Sequence, residues 1–300
     1  MKIMILGASG QIGSVIYSAL RASYEVVGTS RKESVQLIKF DPFEDDWSTL
    51  GKCQVIINCI GQIEATSTFS FYKIHVELTQ LMLQNRKQIG NPRIIQISAL
   101  GASTQHQVEF LRTKGIADDL LLEYPDTVVV RPSIVCTPNT MVVKKMLMLR
   151  QISQFTRGVL FVPKGFLDTQ IQPIMPQDLG EIVKNLCTMN SLPNVIQVVG
   201  PDPITFRDIF GIMFAAQKEK FRLMEVSKTF LDMVIKYGVS VVSPRLINSQ
   251  QYQLLFENNV GNAAETEKFL GHALTSTRKF FINEFESRIS KPVIKCPSLS

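Results

Sequence analysis

The feature that most restricts the fold of this chain is a set of three glycines, Gly7, Gly10 and Gly13, spaced as GxxGxxG. They follow a short apolar strand, KIMIL, and open a segment with helical apolar spacing, QIGSVIYSALRA. The first glycine permits a tight turn, the second lets a ligand approach the backbone, and the third lets the helix pack closely on the strand. Unpaired N–H groups of the first helical turn then face a phosphate. The sequence predicts a pyrophosphate-binding turn formed by Gly7, Ser9, Gly10, Gln11, Ile12 and Gly13. The alternative is a glycine-rich turn that binds no ligand.

Short apolar strands and amphipathic helices continue to alternate after this turn. The predicted strands are YEVVGTS, VQLIKF, CQVIINCIG, PRIIQISAL and DTVVVRPSIV, and the helices between them include FYKIHVELTQLMLQNRKQ and VEFLRTKGIADDLLLEY. Near-continuous Val and Ile runs separated by helices are typical of a buried parallel sheet with crossover helices. We therefore predict an α/β fold with a Rossmann-type doubly wound parallel sheet.

The second half of the chain has a looser rhythm. We expect a Rossmann core at residues 1–137, then a smaller and mainly helical region at 138–285 that returns strands to the core sheet, and an irregular tail at 286–300. Thr205, with Asp208 three residues later, predicts the start of a helix. The apolar segment FLDMVIKYGVSVV predicts a packed helix.

Composition excludes several classes of protein. The net charge of +6 comes from scattered residues, which argues against a nucleic-acid partner. The five cysteines form no CxxC pair and the three histidines are dispersed, so we expect no disulfide framework, no metal site and a reducing compartment. No apolar stretch reaches about 18 residues, so we predict no transmembrane segment. We expect a cytoplasmic protein, with peripheral membrane association left open.

The end of the second strand bears on the choice of nucleotide. Proteins that select NAD usually place an acidic residue there, whereas this strand is followed by Ser30, Arg31 and Lys32. A guanidinium can bind a 2′-phosphate with two hydrogen bonds, which favours NADP(H), although NAD(H) is still permitted. The alternative is that Arg31 is a solvated loop charge.

Two further strand ends are candidate nucleotide contacts. Asp41 follows the third strand, where its carboxylate could accept a hydrogen bond from the adenine amino group. The fourth strand ends at Cys59, Ile60 and Gly61, where a close backbone could pass the ribose.

Several motifs together resemble those of the short-chain dehydrogenase/reductase superfamily in its extended or atypical branch. They are GxxGxxG at Gly7 to Gly13, NCIG at Asn58 to Gly61, IQISALGA at Ile95 to Ala102, RPSIV, and IQPIMPQDLGEIV. By this resemblance Pro132 and Ser133 would lie beside the nicotinamide. The order of ISALGAS, RTK and SQQYQLLFENNV is similar to the NADPH-binding accessory subunit family of respiratory complex I and its bacterial relatives. That resemblance implies NADPH binding and a respiratory or other membrane-associated complex as partner.

The resemblance breaks at one catalytic position. Catalytic members have a tyrosine four residues before a lysine, and a serine at the end of the preceding strand. Here Lys114 and Ser98 match, but the tyrosine position is Phe110, and none of the six tyrosines has a lysine four residues later. We expect Lys114 to hold ribose hydroxyls, although it could be a surface lysine, and Ser98 could be a strand-end hydroxyl bonded to backbone.

The sequence therefore predicts an NADP(H)-binding protein with weak or no tyrosine-dependent catalysis, acting as a structural, assembly or sensor protein. The alternative is an active NAD(P)-dependent oxidoreductase or sugar-nucleotide epimerase/dehydratase acting on a small carbonyl. In that case His106 or Thr113 would supply the missing acid. RNA binding, a third possibility, is disfavoured by the scattered charge.

Overall fold

The computed structural model of the chain describes residues 1–62, 70–217, 220–227, 229, 253–254 and 256–289. The strands are β1 Lys2–Leu6, β2 Glu25–Ser30, β3 Ile38–Lys39, β4 Val55–Asn58, β5 Arg93–Ile97, β6 Thr127–Pro132, β7 Val159–Pro163, β8 Gln170–Ile171, β9 Val195–Val198, β10 Ile204–Thr205 and β11 Arg222–Val226. The helices, in the same numbering by order along the chain, are α1 Gln11–Leu20, α2 Leu78–Gln84, α3 Glu109–Leu122, α4 Met141–Phe155, α5 Pro176–Thr188, α6 Phe206–Gln217, α7 Ala263–Leu270 and α8 Thr277–Ile289.

One seven-stranded sheet organises the fold. Its strand order is β3-β2-β1-β4-β5-β6-β9, and every pair in it is parallel. The order reverses direction between β1 and β4, which is the switch point where ligands bind in doubly wound sheets. The predicted Rossmann-type fold is confirmed.

The strands are apolar on both faces because helices cover both sides of the sheet. In β1, Ile3 and Ile5 belong to a core shared with α1, α5 and α7, whereas Met4 and Leu6 belong to a second core that includes residues of α2 and α3. All four side chains are fully buried. This explains why the strand reads as an unbroken apolar run rather than as an alternating one.

The second half of the chain builds a further core of its own. It includes Cys136, Phe166, Phe210, Phe281 and Phe285. Two small sheets border it, a parallel pair β7–β11 and an antiparallel pair β8–β10. Strand β9, in contrast, leaves this region and joins the main sheet beside β6.

The predicted start of α6 is confirmed in detail. Thr205 donates its hydroxyl hydrogen to the Asp208 carboxylate at 2.6 Å, and the Asp208 backbone N–H donates to the Thr205 hydroxyl at 3.1 Å. This reciprocal pair satisfies donors that the first helical turn would otherwise leave unpaired.

The third strand is shorter than VQLIKF predicts, because only Ile38 and Lys39 pair with β2 at the sheet edge. Helix α8 runs to Ile289, into the segment expected to be an irregular tail, with an Arg288–Glu284 ion pair one turn apart. The predicted helix FLDMVIKYGVSVV lies outside the described residues. Across the part of the chain that the structure describes, no helix is long and apolar enough to cross a membrane.

Gly13 should be indispensable for the seating of α1. A Cβ built on Gly13 would lie 2.1 Å from the Gly7 carbonyl oxygen. Because this oxygen belongs to the backbone, it cannot rotate away as the end of a flexible side chain could. We expect Gly13→Ala to lower the free energy of unfolding by about 1–3 kcal/mol or more, measured by urea denaturation. Gly211→Ala, in an exposed helical position with nothing within 4 Å of the added carbon, is the control and should raise it by about 0.5–1 kcal/mol. An equal effect of both substitutions would contradict this account.

Candidate functional site

The glycine turn lies at the carboxyl end of β1, between the ends of β2 and β4. The Ala8 N–H donates to the Thr29 carbonyl at 2.9 Å, and the Gly10 N–H donates to the Gly7 carbonyl at 3.0 Å. Gly7 has a φ of +75°, a conformation that favours glycine. Helix α1 begins directly after Gly10. Its first-turn N–H groups and the positive end of its dipole therefore lie at the carboxyl end of the parallel strands. The turn thus has the geometry of a phosphate-binding site.

The predicted contacts at the turn are distributed around its opening. Ser9, Gly10 and Gln11 are exposed, Ile12 is partly buried against the core, and Gly13 is buried under the turn. The exposed backbone at the helix start is therefore accessible, while the third glycine serves packing.

The end of β2 lies beside this turn. Ser30 is buried and its hydroxyl accepts a hydrogen bond from the Lys32 backbone N–H, whereas Arg31 is exposed. Glu33, the first acidic residue after β2 in the sequence, forms an ion pair with Lys39 at 3.5 Å. A basic side chain thus stands first after the strand, with no carboxylate at the strand end itself.

Asp41 is turned partly toward its own loop. One carboxylate oxygen accepts the Phe43 backbone N–H at 3.0 Å, and the Asp41 backbone N–H donates to Asp45. The predicted hydrogen bond to adenine stays a prediction, with one carboxylate oxygen already engaged.

The end of β4 closes the other side of the glycine turn. A Cβ on Gly7 would lie 2.9 Å from an Ile60 side-chain carbon, and the Cys59 N–H donates to the Leu6 carbonyl. The Asn58 carboxamide fixes this loop, because its oxygen accepts the Ile60 N–H at 3.0 Å while its nitrogen donates to Gln96 at 2.9 Å. The loop therefore presents Gly61 to the space above β4.

Lys114 reaches that same space from α3. A Cβ on Gly61 would lie 3.6 Å from the Lys114 Nζ and 4.0 Å from the His75 Nε2. The Lys114 ammonium donates to the Ile97 carbonyl at 3.3 Å, and the residue is only 6% exposed. Burial lowers the pKa of Lys114 to about 8, although Asp118 opposes the fall. Lys114 is thus not a surface lysine but a buried cation beside an open glycine.

Phe110 stands at the position of the expected phenol, inside an aromatic cluster. Its ring centroid lies 5.8 Å from Phe71 and 5.7 Å from His75, and the Lys114 Nζ lies 5.7 Å from it. Burial, followed by the charge of Lys114, lowers the pKa of His75 to about 2, so this imidazole is neutral. The cluster packs beside the lysine, and none of its three rings, Phe71, His75 and Phe110, is an acid that donates a proton near neutral pH.

Ser98 is hydrogen-bonded to a buried carboxylate, Asp118, whose role the sequence did not predict. Its hydroxyl donates to the Asp118 carboxylate at 2.8 Å, and the Arg131 guanidinium donates to the same oxygen at 2.9 Å. The Asp118 side chain is fully buried. Burial raises the pKa of Asp118, while Arg131, Ser98 and Lys114 oppose that rise. Ser98 therefore ties β5 to α3, and its hydroxyl hydrogen is committed to a carboxylate rather than to backbone. The four-residue spacing of Lys114 and Asp118 on one helix face was the available signal.

Two other candidates are engaged by the chain after residue 255. Ser133 donates to the Asn259 side-chain oxygen at 2.5 Å, and Pro132 beside it is buried. His106 accepts the Val108 N–H on Nδ1, so its Nε2 carries the hydrogen and donates to Glu257 at 3.0 Å. Ser133 is thus hydrogen-bonded to Asn259 and His106 to Glu257, both in the segment after residue 255.

The cysteines do not supply a reactive nucleophile among the described residues. Burial raises the pKa of Cys59, Cys136 and Cys187 to about 12 and that of Cys53 to about 11. The described residues also contain no group of three His, Cys, Asp or Glu side chains arranged for a metal. The site combines a glycine turn with the geometry of a phosphate-binding site, a buried lysine and an aromatic cluster.

The first half of the chain is similar in sequence to a known protein family. Residues 3–116 match the NAD dependent epimerase/dehydratase family. The matched segment runs from β1 into α3 and contains the glycine turn, the end of β4 and Lys114. The resemblance to the extended branch of the short-chain dehydrogenase/reductases is confirmed.

Curated relatives carry the comparison into the second half. The chain is 28% identical over 233 residues to NADH dehydrogenase [ubiquinone] 1 alpha subcomplex subunit 9, mitochondrial, of Arabidopsis thaliana, covering 73% of this chain and 56% of that protein. It is 22% identical over 245 residues to the NADH-ubiquinone oxidoreductase 40 kDa subunit, mitochondrial, of Neurospora crassa, covering 76% and 63%. The chain thus spans between half and two thirds of the length of these two relatives. The resemblance to complex I accessory subunits is confirmed at the level of sequence.

Solved structures support the fold over almost the whole chain. MoeE5 in complex with UDP-glucuronic acid and NAD superimposes with a TM-score of 0.71 at 14% identity, covering 97% of this chain and 100% of that one. At this identity the likeness shows the fold alone.

The buried Asp118 should be essential for the integrity of the site. Asp118→Ala leaves the Arg131 guanidinium and the Ser98 hydroxyl without their shared acceptor. We expect a loss of about 3–5 kcal/mol in the free energy of unfolding, since removal of one partner of a buried ion pair strands the other. Chemical denaturation measures this, with the exposed neighbour Asp119→Ala as control, expected within about 0.5 kcal/mol of the parent. A loss below about 1 kcal/mol for Asp118→Ala would refute this role.

Proposed function

We propose that the chain binds a nicotinamide adenine dinucleotide, preferentially NADP(H), and does so without tyrosine-dependent catalysis. The pyrophosphate would contact the N–H groups at the start of α1, the adenosine half would extend over the end of β2, and the nicotinamide half over the ends of β4 and β5. In this arrangement Lys114 donates hydrogen bonds to the nicotinamide ribose. The nucleotide itself would supply the redox-active ring, while the chain binds and orients it.

The observation that carries this proposal is the pairing of a buried Lys114 with Phe110. A lysine held at 6% exposure, whose pKa burial lowers to about 8, is costly unless a ligand or partner compensates it. The same helix places a benzene ring where a phenol would be needed to move a proton. Binding is therefore supported by the retained cation, and loss of turnover by the missing acid.

The preference for NADP(H) is supported by the end of β2. Arg31 is exposed directly after the strand, while Ser30 is buried and engaged with the Lys32 backbone. A guanidinium at this point suits a 2′-phosphate, whereas a carboxylate would suit the free ribose hydroxyls of NAD.

The complex I subunits among the relatives support a partner. We propose that the chain works as a nucleotide-binding structural, assembly or sensor protein of a respiratory or other membrane-associated complex. Bound nucleotide would stabilise the folded state through mass action, so that the partner meets a chain whose stability depends on the nucleotide.

An active enzyme is the second candidate, favoured by the match of residues 3–116 to the epimerase/dehydratase family. That function would be NAD(P)-dependent oxidation, epimerisation or dehydration of a small carbonyl or a sugar nucleotide. It would require a different acid, and His106, one of the two sequence candidates, is engaged with Glu257.

Calorimetry and turnover separate the two candidates. We expect NADPH to bind the purified chain. We expect no oxidation of NADPH across a panel of carbonyls, and no conversion of UDP-sugars to new products with the oxidised coenzyme present. Phe110→Tyr restores the phenol beside Lys114 and should create or raise turnover by about 10²–10⁴-fold on a substrate that the pocket accepts. Wild-type turnover that survives Phe110→Ala but disappears in His106→Ala would favour the enzyme. Absence of binding to both NADPH and NADH would refute the proposal.

Arg31 should discriminate between the two coenzymes. We expect Arg31→Ala to weaken NADPH binding about 10- to 100-fold, because it removes charge-assisted hydrogen bonds to the 2′-phosphate. NADH, which lacks that phosphate, is the matched control ligand, and its affinity should change less than about twofold. Titration calorimetry measures both. An unchanged NADPH affinity would show that the coenzyme preference is assigned to the wrong residue.

A further inference from the structure

The imidazole of His75 is a buried polar group with an unused ring nitrogen. The residue is 3% exposed, and its Nε2 has no hydrogen-bond partner within the described residues. A buried polar atom without a hydrogen-bond partner destabilises the folded state, because it has lost its contact with water. Such an atom therefore calls for an explanation, and a ligand is one.

The other ring nitrogen determines which form of the imidazole is present. Nδ1 lies 2.8 Å from the Thr113 hydroxyl. That hydroxyl donates its hydrogen to the Glu109 carbonyl one turn earlier, at 2.9 Å. Thr113 has only one hydrogen to give, so we assign Nδ1 as the donor to Thr113. Nε2 then carries a lone pair and is a hydrogen-bond acceptor.

The backbone around His75 aims this lone pair at the candidate site. His75 lies in a π-helical turn, Lys73–Glu77, that leads into α2, and such turns often occur at functional sites. Phe71 stacks on the ring at a centroid distance of 5.9 Å, and Phe110 contacts it edge to face. The Nε2 lies 4.0 Å from the point where Gly61 would carry a Cβ, and the Lys114 Nζ lies 3.6 Å from the same point. An acceptor and a cationic donor thus meet above one glycine.

This pair of groups suits a hydroxyl pair better than it suits other ligands. A carboxylate or phosphate would match Lys114 but would face the His75 lone pair. A metal ion would match the lone pair but would lie beside an ammonium group, and the described residues offer no set of further ligands. A vicinal diol can accept from Lys114 with one oxygen and donate from the other hydroxyl to His75.

We propose that His75 is the hydrogen-bond acceptor for a hydroxyl of the nicotinamide ribose, with Lys114 donating to the neighbouring ribose oxygen. The proposal rests on the proposed function, because it requires a bound dinucleotide. The nicotinamide ribose is the ribose concerned, since the adenosine half is directed to β2 and the site of His75 lies over β4 and β5. The histidine thereby supplies a ribose contact that the Phe110 ring cannot make. With a pKa near 2, it positions the ribose and does not transfer a proton.

Two ligands isolate this contact in titration calorimetry of the full chain. NADPH carries the nicotinamide ribose, and adenosine 2′,5′-bisphosphate lacks it. We expect His75→Phe, which keeps an aromatic ring in the cluster, to weaken NADPH binding about threefold to tenfold. Binding of the bisphosphate should not change. His75→Gln, whose amide oxygen can accept a hydrogen bond, should retain more of the NADPH affinity than His75→Phe, and the exposed His272→Gln should match the wild type.

The wild-type chain provides a measurement that does not depend on a variant folding correctly. Imidazole nitrogen NMR should show Nε2 of His75 unprotonated in the free protein. NADPH should shift the Nε2 resonance, and the bisphosphate should leave it in place. A protonated Nε2 in the free protein, or no response to bound NADPH, would overturn the proposal.

The outcomes separate this inference from the proposed function. A wild-type chain that binds neither ligand contradicts the proposed function itself. A wild-type chain that binds NADPH, with an affinity that His75→Phe leaves unchanged, contradicts only the assignment of His75. Equal weakening of both ligands in His75→Phe would also contradict it, because the histidine would then act through the fold.

Discussion

The rest of the structure depends on the close approach of two backbone segments, the turn at Gly7 and the start of α1 at Gly13. The space where a Cβ of Gly13 would lie is occupied by the Gly7 carbonyl, so the helix packs directly on the strand end. This contact directs the first-turn N–H groups of α1 to the switch point between β1 and β4. On its other side the Gly7 turn lies against Ile60, in the loop between β4 and Gly61. The glycine turn is thus packed between α1 on one side and the loop after β4 on the other.

Beside the glycine turn, the candidate site contains polar groups whose burial costs free energy. Lys114 is buried although burial lowers its pKa, and His75 keeps a ring nitrogen without a partner in the described structure. Asp118 holds the assembly together, since Ser98 from the end of β5 and Arg131 from β6 both donate to it. Replacing buried charged groups by apolar ones is often neutral or stabilising, so the stability of the fold does not explain why these groups are present. Phe110 packs against Phe71 as an aromatic ring, but it lacks the ionisable hydroxyl that a tyrosine would place here.

Much of the fold could be predicted because it depends on local patterns. Strand β1, helix α1 and the Thr205–Asp208 cap follow from apolar spacing and from a capping sequence, both of which act within a few residues. Strand β3 is shorter than the apolar run VQLIKF indicates, because only Ile38 and Lys39 pair with β2, while Leu37 and Phe40 on either side pack against the cores without extending the pairing. The partners of Ser98 and Ser133 were not predicted, because Asp118 and Asn259 lie 20 and 126 residues away in sequence.

The sequence by itself determined that the chain forms a parallel α/β sheet, that a GxxGxxG turn leads into its first helix, and that no tyrosine lies four residues before Lys114. Each of these is a matter of residue type at short separation, which sequence displays directly. Only the tertiary structure decided that Lys114 is buried, that Ser98 donates to Asp118 and that the Nε2 of His75 points toward Gly61. Burial and hydrogen bonding depend on which distant segments the packed sheet and helices bring together, and residue spacing along the chain does not encode that information in a readable form.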